Sequence, residues 1–558
     1  MIRQRSSSAR QTVLLLLCLA GATACPAQST AGDTVYHLHG TVIDGVTGKP
    51  LPRALVKSGD QRLATMTGTD GKFSIDISVP ERPAGHGNFS SSLFLTAQKP
   101  GYLMQQNRMA LFPLNDTLSS TPVELKLMPA AAVIGHVSSA ATDFAAGVRV
   151  NLLLHQVQDG QFLWSPAGTT TTNAHGDFRF PGLRPGEYAL VTSQWAGDQP
   201  QPAQRGTITQ QYPPTFYGDV RNLAGAPRLH LHYGDTTPTE IHLHLATYYP
   251  VTIPITSGPP NQSVNARLVG VENLGNSPFR YNRAENAVEG SLPSGDYTLQ
   301  LSAMAPGQPQ SSAQVTLHVD SSPIRTAAIA LAPAASIQVR VHPEFTNQED
   351  LTKQQPPSVM LGNGSTFRAR QPQLVQILLR SEDNGGNFIG ASQPSANGDL
   401  VIENVQPGRY FVHQQPFHGY VASITSGGVD LLAHPLIVNP SGAPDPIDIT
   451  LRDDFATLTG TVNPGDGPLP RMSVVVLLPT GSIGRFTQSY AGLDGKFTAT
   501  NVPPGSYRVL AFPGQPLQLP YRDAEALHRY DNKGPSVTVA AGQSQQVDVP
   551  LLDEAEED

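Results

Sequence analysis

The residues in this chain best suited to chemistry are two histidine pairs, His230-Leu231-His232 and His242-Leu243-His244. In an extended strand, residues i and i+2 share a face, so each pair projects its imidazoles together. If the two strands are neighbours in register, four imidazoles converge into a donor set suited to Zn, Cu or Ni. The competing reading lines all four along solvent, with Leu231, Leu243 and Leu245 turned towards a core. A second group is aromatic: Trp164, Trp195, Tyr212 and Tyr217 fall within one stretch of the chain. Exposed rings with a polar tip suit stacking on a sugar or docking a partner. The alternative for these rings is core packing beneath a structured loop.

Familiar catalytic signatures are missing from the sequence. None of the 16 histidines opens a His-x-x-Glu or His-Glu-x-x-His zinc motif, and no Gly-x-Ser-x-Gly nucleophile elbow occurs. Gly48-Lys49, Gly71-Lys72 and Gly495-Lys496 have neither the spacing nor the following Ser or Thr of a phosphate-binding loop. The expectation is a non-catalytic protein with no catalytic residues and no cofactor.

The elements that must position these residues are strands. The 558 residues include 51 Gly and 50 Pro but only 14% charged residues, while 39% are hydrophobic. A chain with enough apolar residue for cores, and that dense in turn formers, reads as many short strands in several domains. At the N-terminus, Arg3, Arg5 and Arg10 precede an apolar run from Val13 to Ala20 and a small-residue end. That order is a secretory signal peptide, expected over residues 1–27. Ala22-Thr23-Ala24-Cys25 is similar to a bacterial lipobox, which makes Cys25 a candidate lipidation site; ordinary cleavage after Ala24 or Ala27 is the alternative. Cys18 is lost with the leader, so the exported chain keeps one Cys at most and no disulfide. Removing the three leader arginines leaves 33 basic against 44 acidic residues, a net −11, which is no nucleic-acid footprint. No later apolar stretch has transmembrane length. The expected location is therefore the periplasm, the outer membrane or the exterior.

A repeat runs through the rest of the chain. Turn signals recur at Asp70-Gly71-Lys72-Phe73, His175-Gly176-Asp177-Phe178, Asn397-Gly398-Asp399-Leu400 and Asp494-Gly495-Lys496-Phe497. Asp-Gly and Asn-Gly tolerate the positive φ angles of tight hairpins, and period-two alternation follows each signal. Downstream come Pro185-Gly186-Glu187-Tyr188, Ser294-Gly295-Asp296-Tyr297, Pro407-Gly408-Arg409-Tyr410 and Pro504-Gly505-Ser506-Tyr507. Each Tyr is placed as a tyrosine corner, with its ring in the core and its hydroxyl on nearby backbone. The intervals of 109, 113 and 97 residues between these tyrosines suit one sandwich each.

The first unit lacks this corner but offers Lys99-Pro100-Gly101-Tyr102. Alternating final strands close units at Val123–Leu127, Ile241–Leu245 and Ile447–Leu451, leaving linkers short enough for a semi-rigid rod. Only Tyr521 to Tyr530 suggests a helix.

The fold expected is all-β, a tandem array of about five seven-stranded Greek-key sandwiches of immunoglobulin-like or prealbumin-like type after a signal peptide. The units are placed at 34–129, 132–246, 247–333 (degenerate), 335–452 and 455–552, with an acidic tail at 553–558.

The opening His39-Gly40-Thr41-Val42-Ile43-Asp44, with Thr47-Gly48-Lys49-Pro50-Leu51, Thr69-Asp70-Gly71-Lys72-Phe73 and Lys99-Pro100-Gly101-Tyr102, resembles a carboxypeptidase regulatory-like repeat. Asn501-Val502-Pro503-Pro504-Gly505-Ser506-Tyr507 is similar to the same family's Leu-x-Pro-Gly-x-Tyr element. The C-terminal stretch through Val537-Thr538-Val539 resembles the closing segment of multi-repeat envelope proteins of acidobacterial type. This resemblance implies a transthyretin-like sandwich, sometimes grouped with carbohydrate-binding-like folds. The expected role is structural spacing and interaction in the cell envelope, with an envelope protein or polysaccharide as partner. A polysaccharide-binding accessory role using the loop aromatics is the alternative.

Overall fold

The computed structural model describes residues 34–79, 92–104, 110–113, 122–139, 144–195, 206–256, 262–270, 278–306, 310–346, 358–360, 366–368, 374–382, 388–394, 400–439, 444–467, 469–470, 473–484, 486–514 and 519–552. The signal peptide, Cys25, the Asn397-Gly398 turn and the acidic tail lie outside the described residues.

Five large hydrophobic cores follow one another along the chain. They run from Leu38 to Leu127, Ala131 to Leu243, Val251 to Val319, Ile337 to Leu451 and Ala456 to Val549. The chain is a tandem all-β array. Alternation explains each core: in Val123–Pro129 the residues Val123, Leu125 and Leu127 are buried while Glu124 and Lys126 face water.

One pairing rule recurs in every unit. The opening strand pairs in parallel with the closing strand, as Gly40 with Val123, Val133 with Thr237, Val251 with Ile324, Val339 with Ile447 and Gly460 with Val547. On its other side, the opening strand pairs antiparallel with the strand before the corner tyrosine, or, in the first unit, with Lys72–Val79, the strand that follows the turn signal. The third unit obeys this rule although its turn signal is missing. Strand number varies around this frame. The first unit has two four-stranded sheets, the second a four and a three, the fourth nine strands in one continuous path beside a separate two-stranded pair, and the fifth seven.

In the first, second and fifth units the opening strand also carries a glycine beneath the Phe of the turn signal. A Cβ on Gly135 would stand 2.2 Å from Phe178 Cζ, and one on Gly460 would stand 1.7 Å from the Val547 carbonyl and 2.8 Å from Phe497. The ring fills the space that a side chain would take, which is why Gly and Phe recur together.

The turn signals themselves differ from the expected tight hairpins. Positive φ falls on the glycine alone, at 73° for Gly71 and 77° for Gly495. The aspartate instead accepts a backbone hydrogen bond, from Lys72 N to Asp70 Oδ1 and from Lys496 N to Asp494 Oδ1, both 3.1 Å. In the first unit the turn carries the chain between sheets, since Ala64–Met66 and Lys72–Val79 belong to different ones.

The corner tyrosines take the expected bonds. Tyr188, Tyr297, Tyr410 and Tyr507 each donate to the carbonyl four residues upstream, at 2.9, 3.0, 2.7 and 2.6 Å. Tyr102 instead donates to Asp44 Oδ2 at 3.0 Å, within a turn where Asp44 Oδ1 also caps Val46 and Thr47.

Ala524–Leu527 is the short helix, capped by Asp523 Oδ1 accepting from Ala526 N, and His528–Tyr530 continues it as a 3-10 turn. Tyr521 and Tyr530 join Leu510 and Phe512 in a second small core on the outer face of the fifth unit. No helix among the described residues is long and apolar enough to cross a membrane.

Candidate functional site

The two histidine pairs do not meet. Leu229–Leu231 pairs with Gly186–Thr192 in one sheet of the second unit, and Thr236–Leu243 pairs with Ala131–Ser139 in the other. The Tyr233-Gly234 turn crosses the sandwich, so His230 and His242 stand on different sheets and the four-imidazole site is not formed. His230 and His244 are exposed. His232 Nδ1 lies 3.2 Å from Asp235, while His242 Nδ1 lies 3.1 Å from Asp219. Among the described residues, no group of three or more His, Cys, Asp or Glu side chains is placed to hold a metal. Calorimetry with Zn²⁺, Cu²⁺ and Ni²⁺ should give the same weak titration for the wild type and for a His242→Ala, His244→Ala double variant. A stoichiometric site lost in the variant would contradict this topology.

The aromatic residues divide into two packing clusters. Tyr212 is buried in the main core of the second unit, with Trp195 and Tyr217 packed against it, and the Trp195 and Tyr212 rings are 5.1 Å apart. Trp164 stacks on His155 at 4.7 Å and lies beneath the Arg228 guanidinium at 4.5 Å. The rings do not form a single open platform.

The most concentrated buried chemistry lies at a place the sequence reading did not single out. Strands Arg149–Gln158 and Gln161–Thr171 form a long hairpin whose tip is Asp159-Gly160. Both tip residues have positive φ, 51° and 81°, the type I′ conformation that Asp-Gly favours.

Strands Val375–Ser381 and Gly408–Pro416 of the fourth unit pair with Arg380 opposite Phe411 and Leu378 opposite His413. Their inward residues Leu379, Tyr410 and Val412 fill that unit's core. Alternation therefore sends Arg380, Phe411 and His413 outward, to a face that would ordinarily be wet. Yet the Arg380 and His413 side chains are only 11% and 8% exposed. What covers them is the hairpin tip of the second unit, together with Tyr521 and Arg522 of the fifth.

The carboxylate of Asp159, 4% exposed, is the hub. Its Oδ2 lies 2.8 Å from Arg380 Nη1, 2.6 Å from His413 Nε2 and against Arg522 Nη1. Tyr521 donates its hydroxyl to Oδ1 at 2.5 Å. Arg522 is held in turn by its own backbone N–H on the Gly160 carbonyl and its Nε on the Ile483 carbonyl, each 2.9 Å. Its guanidinium stands 4.4 Å over the Phe411 ring.

Gly160 is required twice here, for its φ and because a Cβ would lie 2.8 Å from the Tyr521 ring. Burial alone would raise the Asp159 carboxyl. The hydrogen bonds from His413 and Tyr521 and the charge of Arg522 outweigh it, and hold the group well below the usual carboxylate range. Burial pushes Arg522 below the ordinary guanidinium value.

No family model matches this sequence, and no curated protein matches it. Solved structures share its strand-rich build at low identity. The TIE protein of Bacillus anthracis is 9% identical with a TM-score of 0.15, over 76% of this chain and 68% of its own. The shaft pilin SpaA of Lactobacillus rhamnosus GG is 10% identical with a TM-score of 0.21, over 38% of this chain and 97% of its own. The minor pilin GBS52 of Streptococcus agalactiae is 14% identical with a TM-score of 0.19, over 40% of this chain and 100% of its own. At these values the likeness goes no further than the all-β class.

Proposed function

We propose that this chain is a non-catalytic structural and interaction protein of a bacterial-type cell envelope, exported by its N-terminal leader and built from carboxypeptidase regulatory-like sandwiches. The observation that carries the reading is how the buried ionisable groups are used. Asp44 ties a turn to Tyr102, the corner tyrosines tie strands to their own turns, and Asp159 ties three units together.

Further contacts join units in the same way. Strand Thr209–Gln211 of the second unit adds to the third unit's sheet beside Ala246–Pro254. Gln300 bonds Gln406 across the third and fourth units at 2.9 Å, and Ile483 N bonds the Leu432 carbonyl across the fourth and fifth at 2.7 Å. Polar chemistry of this kind fixes domain geometry, which is what a scaffold or display protein needs. Its partner is an envelope protein or polysaccharide.

Fractionation of cells and mass analysis of the mature N-terminus test the reading. The expected result is an envelope protein beginning at Cys25 or Gln28, with Met1 removed. If Cys25 is lipidated, Cys25→Ala should release the protein from the membrane fraction. A cytoplasmic protein retaining Met1 would defeat the proposal. Pull-down on envelope polysaccharides then separates a sugar partner from a protein one.

A further inference from the structure

The Asp159 contact joins residues 362 and 363 positions apart, from the second unit to Tyr521 and Arg522 of the fifth. A rod of beads touching only their sequence neighbours, as the short linkers suggest, has no contact at that separation. Here the second unit meets the third, the fourth and the fifth, while the first is joined to the second through their short linker, as in Ala130 N to Gly101 O at 2.8 Å.

We propose that the Asp159-Gly160 hairpin tip and its socket form a releasable clasp, which holds units two to five as a closed ring and whose opening lets the array extend. Three features support a device that opens rather than a permanent weld.

First, the contact is ionic rather than a merged core. Each unit keeps its own hydrophobic cluster, and what joins the second unit to the other two is chiefly one carboxylate among two guanidiniums and an imidazole. The desolvation of such charges offsets part of their attraction, and removing one member leaves the others buried and uncompensated, so the contact depends on every member staying paired. Second, the socket is over-supplied with positive charge: the Arg380 and Arg522 guanidiniums face a single carboxylate. Without the hairpin they repel one another, and water entering the socket relieves them. Third, the hairpin is autonomous. Its turn is type I′ and its strands pair from Arg149–Thr171 to Gln158–Gln161, so the tip keeps its shape on leaving.

The test uses the full chain and needs no knowledge of its compartment or ligand, so it stands apart from the envelope reading. Asp159→Asn keeps the turn, because Asn-Gly serves type I′ as well as Asp-Gly does, and removes only the charge. Arg380→Glu sets a second carboxylate against Asp159 from a position outside the fourth unit's core. Small-angle scattering should show the radius of gyration rising by about a fifth or more in both variants, as a ring of domains becomes a string. Both tryptophans of the chain belong to the second unit, so their emission monitors the hairpin's own unit in the same samples. Calorimetric transitions of the individual units should remain, showing opening rather than unfolding. Unchanged scattering in both variants would overturn the clasp. So would a wild-type dimer that Asp159→Asn converts to monomer, since the tip would then be closing on a second copy.

Discussion

Gly460→Ala should destabilise the fifth unit by on the order of 3 kcal/mol, the high end of what overpacking costs. The added methyl meets two obstacles at once, the Val547 carbonyl of the closing strand and the Phe497 ring of the turn signal. Shrinking Phe497 relieves only one of them, so a Gly460→Ala, Phe497→Ala double variant should not recover the wild-type transition. Hydrogen exchange on Ala456–Asn463 and Ser544–Pro550 would locate the loss in the parallel pair. Wild-type protection in Gly460→Ala would mean that the strands are less closely apposed than they stand here.

Tyr507→Ala should cost on the order of 3–5 kcal/mol through the cavity it leaves, and Tyr507→Phe on the order of 0.5–1.5 kcal/mol through the hydroxyl bond to the Pro503 carbonyl. A pH dependence accompanies this. Burial pushes the Tyr507 hydroxyl up to about 12, from an ordinary value near 10. The folded state therefore holds the proton more tightly than the unfolded state. The associated stability is complete below pH 10 and is lost as pH rises from there towards about 12, a swing on the order of 3 kcal/mol. Tyr507→Phe should remove this part of the alkaline loss. Calorimetry of both variants against pH checks the ratio of the two costs and the alkaline limb together; two variants melting like the wild type would disprove the corner.

Much of this was legible because the repeat states each rule several times. Tyr188, Tyr297, Tyr410 and Tyr507 follow the same Gly-x-Tyr turn, and a local motif that recurs at domain spacing fixes a local geometry. Closing strands such as Val123–Pro129 show their alternation in seven residues. The histidine pairs were legible as strand faces, but not as sheet membership. Tyr233 to Asp235 serves equally as a hairpin or as a crossing between sheets, and the pairing partners that decide it lie some 40 to 105 residues upstream.

The Asp159 cluster was the hardest to see. Its tip is an Asp-Gly between alternating strands, a hairpin signal in its own right, but one that does not recur from unit to unit. Its partners Arg380 and His413 sit at strand positions that alternation assigns to solvent, Arg522 lies in the turn before the short helix, and only the docking of distant units makes them interior.

The parallel pairing of first and last strands has a mechanical consequence. In each unit the chain enters at one end of the opening strand and leaves at the opposite end of its parallel neighbour. Tension applied through the termini therefore slides these two strands past each other along their length. All the hydrogen bonds between them are loaded together, instead of parting one at a time as in a peeled antiparallel edge. In the first, second, fourth and fifth units that seam is five to eight residues long, and in the third it is two. Once the Asp159 clasp is open, an array pulled from its ends should yield first at the third unit, while the others hold as shear-resistant links.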